Sequence, residues 1–222
     1  MKNKLLAANW KSNKTKFEAK DWLVEISNYE VPTGLEVVIF PPFTLLDIIS
    51  GYVRVNSMPF KIGAQDISPF DSGAFTGEIS ARQIKEFADY VLIGHSERRI
   101  NFGESDEMVR KKVERAIAQE LKPIVCISDL SQVANLKFDQ ELIIAYEPLE
   151  AIGTGKPQDP NSVESMANQI RAKMSATRII YGGSINTDNL RDYINLDGIE
   201  GALVGGGSLN SSSFIDILKN AI

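Results

Sequence analysis

The chain has 222 residues, 43% hydrophobic and 24% charged, with a formal net charge of −5. That length suits one large domain or two small ones with a substantial core, and an acidic balance with no basic run excludes a nucleic-acid or membrane-surface binder. Cys126 is the single cysteine, so no internal disulfide can form and a reducing, cytoplasmic home is expected; no stretch approaches the ~20 apolar residues of a bilayer span.

The chain opens M-K-N-K-L-L-A-A-N-W-K. Its apolar run, Leu5 to Ala8, is too short for a signal peptide's core and reads as part of a first strand, Lys4–Asn9. A helix follows over Thr15–Ser27, with Phe17, Leu23, Val24 and Ile26 as its apolar positions. Strands are predicted at Glu36–Phe40 and Lys61–Gln65, a helix at Ser80–Phe87, and a strand at Tyr90–Ile93 leading into a helix start at Ser96-Glu97-Arg98-Arg99. Asp106–Glu120 is helical, with Val109, Val113 and Ile117 on one face, and Pro123–Ile127 is the fifth strand. The next unit is the thinnest: Ser131–Asn135 leaves room for only a helical turn or two. Strand Leu142–Tyr146, helix Ser162–Met174, strand Arg178–Tyr181, helix Thr187–Ile194, strand Gly201–Val204 and helix Ser208–Leu218 complete the chain.

The strands are apolar at nearly every position, as in a parallel sheet covered by helices. Eight β-then-α units can close as a barrel or open as a doubly wound sheet. The count, and the lack of a G-x-G-x-x-G after the first strand, favour an α/β chain folded as a single (β/α)8 barrel spanning 1–222. Such barrels typically run to ~250 residues, so this one is compact.

Chemistry in these barrels sits in the loops after the strands' C-terminal ends. Reading only those positions finds Asn9 and Lys11, Gln65, His95, Ser128 and Asp129, Glu147, Gly182-Gly183-Ser184 and Gly205-Gly206-Gly207. His95, the only histidine, lies between a strand and a helix start, and a helix N-terminus holds an imidazole neutral, as a hydrogen-bond donor. Glu147 is followed by Pro148, and the next helix cap, at Asp159 or Asn161, is too far on for Glu147 to serve it. Pro148 at one end and Gly153-Thr154-Gly155 at the other describe a segment that moves as a block between hinges. The two glycine turns, the second leading into Ser208, suit backbone N–H groups gripping an anion, with Lys11 completing a phosphate site.

The motifs N-W-K at 9–11, G-A-F-T-G-E-I-S at 73–80, I-G-H-S-E-R-R at 93–99, A-Y-E-P followed by A-I-G-T-G-K, Y-G-G-S at 181–184 and L-V-G-G-G-S-L at 203–209 resemble the triosephosphate isomerase family, in order from first strand to last. That family is itself the standard case of a glutamate base with a neutral histidine electrophile beneath a closing loop. The resemblance implies interconversion of dihydroxyacetone phosphate and D-glyceraldehyde 3-phosphate, in glycolysis and gluconeogenesis, with no metal or coenzyme. It assigns proton transfer to Glu147 and hydrogen bonding of the enediolate to His95 and Asn9. Lys11 stabilises negative charge. Gly153, Ser184, Gly205 and Gly206 offer N–H groups to the phosphate, and Glu97 supports Lys11. It also implies a homodimer, in which the 68–78 loop with Thr76 braces the neighbouring subunit's site.

Two positions depart from the family pattern. Glu150 stands where tryptophan is usual at the first hinge of the lid (148–156), and C-I-S-D replaces C-I-G-E at 126–129. Glu150 and Asp129 would then be like charges across the lid, so either Arg98 stands between them or the closed lid makes other contacts. Two other readings compete. One is a different phosphate-binding barrel enzyme, against which stand the lack of a lysine at a late strand end for an imine aldolase and the lone histidine for a metal-dependent epimerase. The other is a non-enzymatic barrel, against which stands the full set Asn9, Lys11, His95 and Glu147.

Overall fold

The computed structural model describes residues 4–136, 138, 140–174 and 177–221. Strands β1 (Lys4–Asn9), β2 (Leu35–Phe40), β3 (Lys61–Ala64), β4 (Tyr90–Ile93), β5 (Lys122–Ile127), β6 (Leu142–Tyr146), β7 (Thr177–Tyr181) and β8 (Gly201–Val204) close in chain order into one parallel barrel. Closure is made by β1 against β8, with Leu5 opposite Gly201 and Ala8 opposite Val204. The (β/α)8 architecture expected from the unit count is therefore the one observed, and each strand lies within one residue of its predicted bounds.

Alternation along the strands sorts side chains into two cores. Leu5, Ala7, Val38, Phe40, Tyr90, Leu92, Ile124, Cys126, Ala145, Ile180 and Leu203 fill the barrel's interior. The partners that alternate with them, such as Leu6, Ile39, Val91, Val125, Ile144 and Ile179, pack outward under the helices. Both faces being dry explains the nearly unbroken apolar strands.

The helices are α1 (Lys16–Ile26), α2 (Leu46–Val55), α3 (Ala81–Lys85), α4 (Ser96–Phe102), α5 (Asp106–Ala118), α6 (Pro160–Lys173), α7 (Leu190–Ile194) and α8 (Ser211–Asn220). A capping box opens α1: Thr15 accepts from the Glu18 N–H while Glu18 accepts from the Thr15 N–H. Its buried stripe is Ala19, Trp22, Leu23 and Ile26, and the predicted face is corrected at two positions, because Phe17 is 79% and Val24 47% exposed. Trp22 sets the helix's rotation. Its ring meets Trp10 edge-on at 4.9 Å and Phe214 at 5.6 Å, and its indole N–H reaches the Ser208 carbonyl, which leaves Phe17 on the opposite side.

The last helix starts at Ser211 rather than Ser208, because Gly206–Ser208 forms a 3₁₀ turn and Asn210 supplies the cap. Among its described residues the fifth unit has only a 3₁₀ turn, Gln132–Asn135, with Val133 and Leu136 buried. Among the described residues no helix is long and apolar enough to cross a membrane.

Candidate active site

The inward register of the strands delivers the polar residues to the barrel's C-terminal rim. In β1, Leu5 and Ala7 point inward, so Asn9 continues the row and is 4% exposed. In β6, Ala145 faces inward and Glu147 follows two residues later, 1% exposed. On β4, Tyr90 and Leu92 face inward, and alternation alone would send His95 outward. Gly94, with φ 71°, breaks the alternation in the left-handed region that glycine enters freely, and the imidazole turns into the barrel.

There His95 Nε2 lies 3.1 Å from Glu147 Oε1, and Nδ1 accepts the Glu97 N–H at 3.2 Å. The second carboxylate oxygen, Glu147 Oε2, accepts the Ser96 N–H at 3.1 Å. Burial raises the Glu147 pKa, but His95, the Ser96 N–H and Lys11 outweigh it and hold the acid below its ordinary range, as a carboxylate. Burial lowers the His95 pKa, and the Glu147 carboxylate overcomes it and raises the ring above its ordinary range while the two touch. A neutral ring carrying its proton on Nε2 satisfies both contacts, because Nδ1 needs its lone pair for the Glu97 N–H. Cys126 lies beside Glu147, and burial keeps its thiol neutral.

Lys11 is held from three sides. Its backbone is strained for a non-glycine residue, at φ 52°, and is fastened by Asn9 Oδ1 on its N–H at 3.0 Å and Gln65 Nε2 on its carbonyl at 2.8 Å. Its ammonium meets Glu97 Oε1 at 2.5 Å. Asn9, Lys11, His95 and Glu147 line one cavity of about 250 Å³ with Gly153, Ser184, Gly205 and Gly206. The acid, the imidazole, the ammonium and both glycine turns are thus neighbours, whereas Ser128 and Asp129 do not line this cavity. A larger hollow of about 630 Å³ opens at the other end of the barrel, by Glu36, Tyr90, Lys122 and Arg178, but the acid, imidazole and ammonium do not meet there.

Thr76 is exposed on the 68–78 loop, whose residues do not line the cavity. Arg98 corrects an expectation: it does not stand between Glu150 and Asp129. Its guanidinium is bound by Asp66 at 2.8 Å and Glu104 at 3.4 Å, in a buried group centred on Lys112, whose ammonium meets Asp66 Oδ1 at 2.7 Å and also touches Glu104. A side chain committed to two carboxylates inside the protein has no reason to cross to the lid. In this structure Glu150 Oε1 accepts from Gln158 Nε2 at 2.9 Å, and Asp129 accepts the Ser131 N–H at 2.7 Å.

The sequence reading missed two contributors, Ser96 and Gln158, and the role of a third, Gly182. Ser96 acts through its N–H, and its only signal was its place just after His95 at a helix start. Gly182 leaves room for the acid: a Cβ there would fall 2.9 Å from Glu147 Cγ. Gln158, at the far end of the lid, had no signal beyond its position.

These features define an enzyme of the (β/α)8-barrel class, with its chemistry at the C-terminal rim. Residues 4–221 match the family described as triosephosphate isomerase. Triosephosphate isomerase of Alkaliphilus metalliredigens is 39% identical over a 249-position alignment covering 99% of this chain and 100% of the relative. That of Symbiobacterium thermophilum is 38% identical, covering 100% and 98%, and that of Thermus thermophilus 35%, covering 100% of both. The chain belongs to the triosephosphate isomerase family.

Proposed function

We propose that Glu147, His95, Lys11 and Asn9 together interconvert dihydroxyacetone phosphate and D-glyceraldehyde 3-phosphate, with residues 1–222 acting as one barrel domain. The Glu147 carboxylate removes a proton from the carbon beside the carbonyl. The electron pair forms the C1–C2 double bond and the carbonyl oxygen takes the negative charge. His95 Nε2–H and the Asn9 amide donate to the two oxygens of this enediolate, and Lys11 offsets its charge. Glu147 then returns the proton to the neighbouring carbon while the C1 hydroxyl proton passes to the C2 oxygen across the His95 Nε2 hydrogen bond, so that the carbonyl re-forms at C1. Gly153, Ser184, Gly205 and Gly206 receive the phosphate through backbone N–H groups, and Glu97 positions Lys11.

When substrate parts Glu147 from His95, the largest influence that raised the ring's pKa is withdrawn. The Glu97 carboxylate still raises it, while burial, Lys11 and the Glu97 N–H favour the neutral donor. The segment 148–156 folds over the phosphate and excludes water from the enediolate.

The partner is a second copy of this chain, met through the 68–78 loop. That loop carries Phe70 and Phe75 stacked at 4.3 Å and 46% and 40% exposed, an aromatic pair left to solvent in one subunit. The cytoplasm is the compartment in which the enzyme works.

The observation that carries this reading is the 3.1 Å approach of His95 Nε2 to Glu147 Oε1, two residues from strands β4 and β6, in the cavity that also holds Lys11. A coupled isomerase assay on the wild type and Glu147→Gln tests it. The variant is expected to lose about 10³-fold in kcat, within the usual worth of a positioned base; equal rates in both proteins overturn the assignment.

A further inference from the structure

The lid's two ends are joined in a way the family resemblance does not foresee. Gln158, just beyond the lid's last residue, uses backbone and side chain alike. Its N–H donates to the Tyr181 hydroxyl at 3.0 Å, and its carbonyl accepts from the Tyr193 hydroxyl at 2.6 Å. Its side-chain oxygen accepts from the Tyr146 hydroxyl at 3.0 Å, and its side-chain NH₂ donates to Glu150 Oε1 at 2.9 Å. Tyr181 and Tyr193 are stacked at 4.5 Å, so the backbone of residue 158 is held by a rigid aromatic pair on the barrel's outer wall.

We propose that Gln158 is a positioning residue that ties the lid's first hinge, at Glu150, to the fixed chain just beyond its second and keeps the Glu150 and Asp129 carboxylates apart. The proposal rests on residues 148–156 being the lid.

The argument is one of hydrogen-bond sense. Glu150 can only accept, and the Tyr146 hydroxyl must donate to whatever lies against it in that direction. A primary amide is the neutral side chain that donates to one and accepts from the other at once. Burial pushes the Tyr146 phenol up, its hydrogen bond to Gln158 pulls it down, and the charges of Glu150 and Asp129 push it up again. Glu150 and Tyr146 are thus bridged by an amide rather than by a cation. Arg99, not Arg98, is the arginine whose charge reaches Asp129, and it is already bound to Asp106 and the Gly94 carbonyl.

The tie also leads to the chemistry. Tyr146 immediately precedes Glu147, so the path from the first hinge runs through Glu150, Gln158 and Tyr146 to the residue bonded to the base. With both hinges tied, the lid closes as a block and stays closed while the enediolate exists. A loosened lid admits water. In the enediolate the C1 oxygen then re-forms a carbonyl, the C1–C2 double-bond pair moves to C2–C3, and the C3–O bond breaks with its pair leaving on inorganic phosphate, which frees a three-carbon enol-aldehyde.

Gln158→Leu keeps the volume and removes both side-chain bonds. Amide hydrogen exchange over 148–158 is expected to speed up about three- to tenfold, as suits one or two partly exposed hydrogen bonds. The share of turnovers ending in free phosphate is expected to rise with it. Adding Glu150→Gln to that variant removes one of the facing charges, and exchange and phosphate release both return toward wild type. A residue that served only packing would show no such rescue.

Should the leucine variant fail to fold, Gln158→Glu serves in its place. Once ionised it still accepts from Tyr146 but cannot donate to Glu150, so its lid amides exchange increasingly faster than those of wild type at the same pH as pH climbs through the carboxylate range. Wild-type exchange in the Gln158 variants, or loosening that Glu150→Gln does not relieve, overturns the proposal. Because exchange is read without substrate, that outcome leaves the Glu147 assignment standing, whereas an active Glu147→Gln would remove the assignment and leave the tie.

Discussion

Gly182→Ala tests the placement of Glu147 without altering any group that moves a proton. The new Cβ would lie 2.9 Å from Glu147 Cγ, 3.5 Å from its Oε1 and 3.5 Å from Leu203 Cβ. Carbon atoms settle at about 3.5–4.0 Å, so relief of the closest contact needs a shift of about 0.6–1.1 Å. The residue does not have the positive φ that would penalise alanine, so the effect is steric alone. Leu203 belongs to the barrel's packed interior, and β7 and β8 are fixed by their neighbours, so the Glu147 side chain is what yields. A displacement near 1 Å at a reacting group can cost up to ~10²-fold in rate. The alanine variant should lose about 10- to 100-fold in kcat with little change in KM, since the phosphate contacts lie elsewhere in the cavity. Steady-state kinetics in both directions, beside a melting curve that certifies the fold, reads this directly. A folded variant with kcat within about twofold of wild type would show that the acid's position against Ser96 and His95 is not what limits the reaction.

Two further expectations concern charge and assembly. Burial pushes the Asp66 carboxyl up to about 6 despite Lys112. The folded state then holds a proton that the unfolded chain has released between about pH 4 and 6, so this group's stability is complete below that window and is lost as pH rises through it, by at most about 1.4 kcal/mol per pH unit. Thermal denaturation from pH 5 to 7 should show the decline, and Asp66→Asn should flatten it; an unchanged slope would refute the attribution. Phe75→Asp breaks the Phe70–Phe75 stack and puts a charge at the tip of the 68–78 loop. Sedimentation should show wild-type dimers and variant monomers with reduced activity, and a dimeric variant would remove that loop from the interface.

Much of this architecture was readable along the chain because the strands are buried on both faces. Their composition is then dictated at every position, and their ends fall within a residue of the prediction. Helix α2 was not read, because Leu45 at its start makes no side-chain cap and the apolar run around Leu46 and Ile49 lacks a boundary signal. Phe17 misled because hydrophobicity alone does not set a helix's rotation; the packing of Trp22 on Trp10 and Phe214 does.

The candidate site shows the same division. Asn9, Lys11, His95 and Glu147 were legible because the barrel converts the ends of distant strands into neighbours. Where Arg98 points was not, because Asp66, Glu104 and Lys112 hold it, and only folding brings those residues together. The roles of Gly182 and Gln158 depend on contacts with Glu147, Glu150 and Tyr146 across separate loops, which no local pattern announces.

The central claim is that one carboxylate lifts a proton from carbon and sets it down on the next. Isomerisation of dihydroxyacetone phosphate in deuterium oxide, with the label at C2 of the aldehyde product followed by NMR, tests that most directly. Wild type is expected to incorporate deuterium at that carbon during turnover, while Glu147→Gln forms product and label about 10³-fold more slowly. Label incorporation by Glu147→Gln at the wild-type rate would assign the proton to another group.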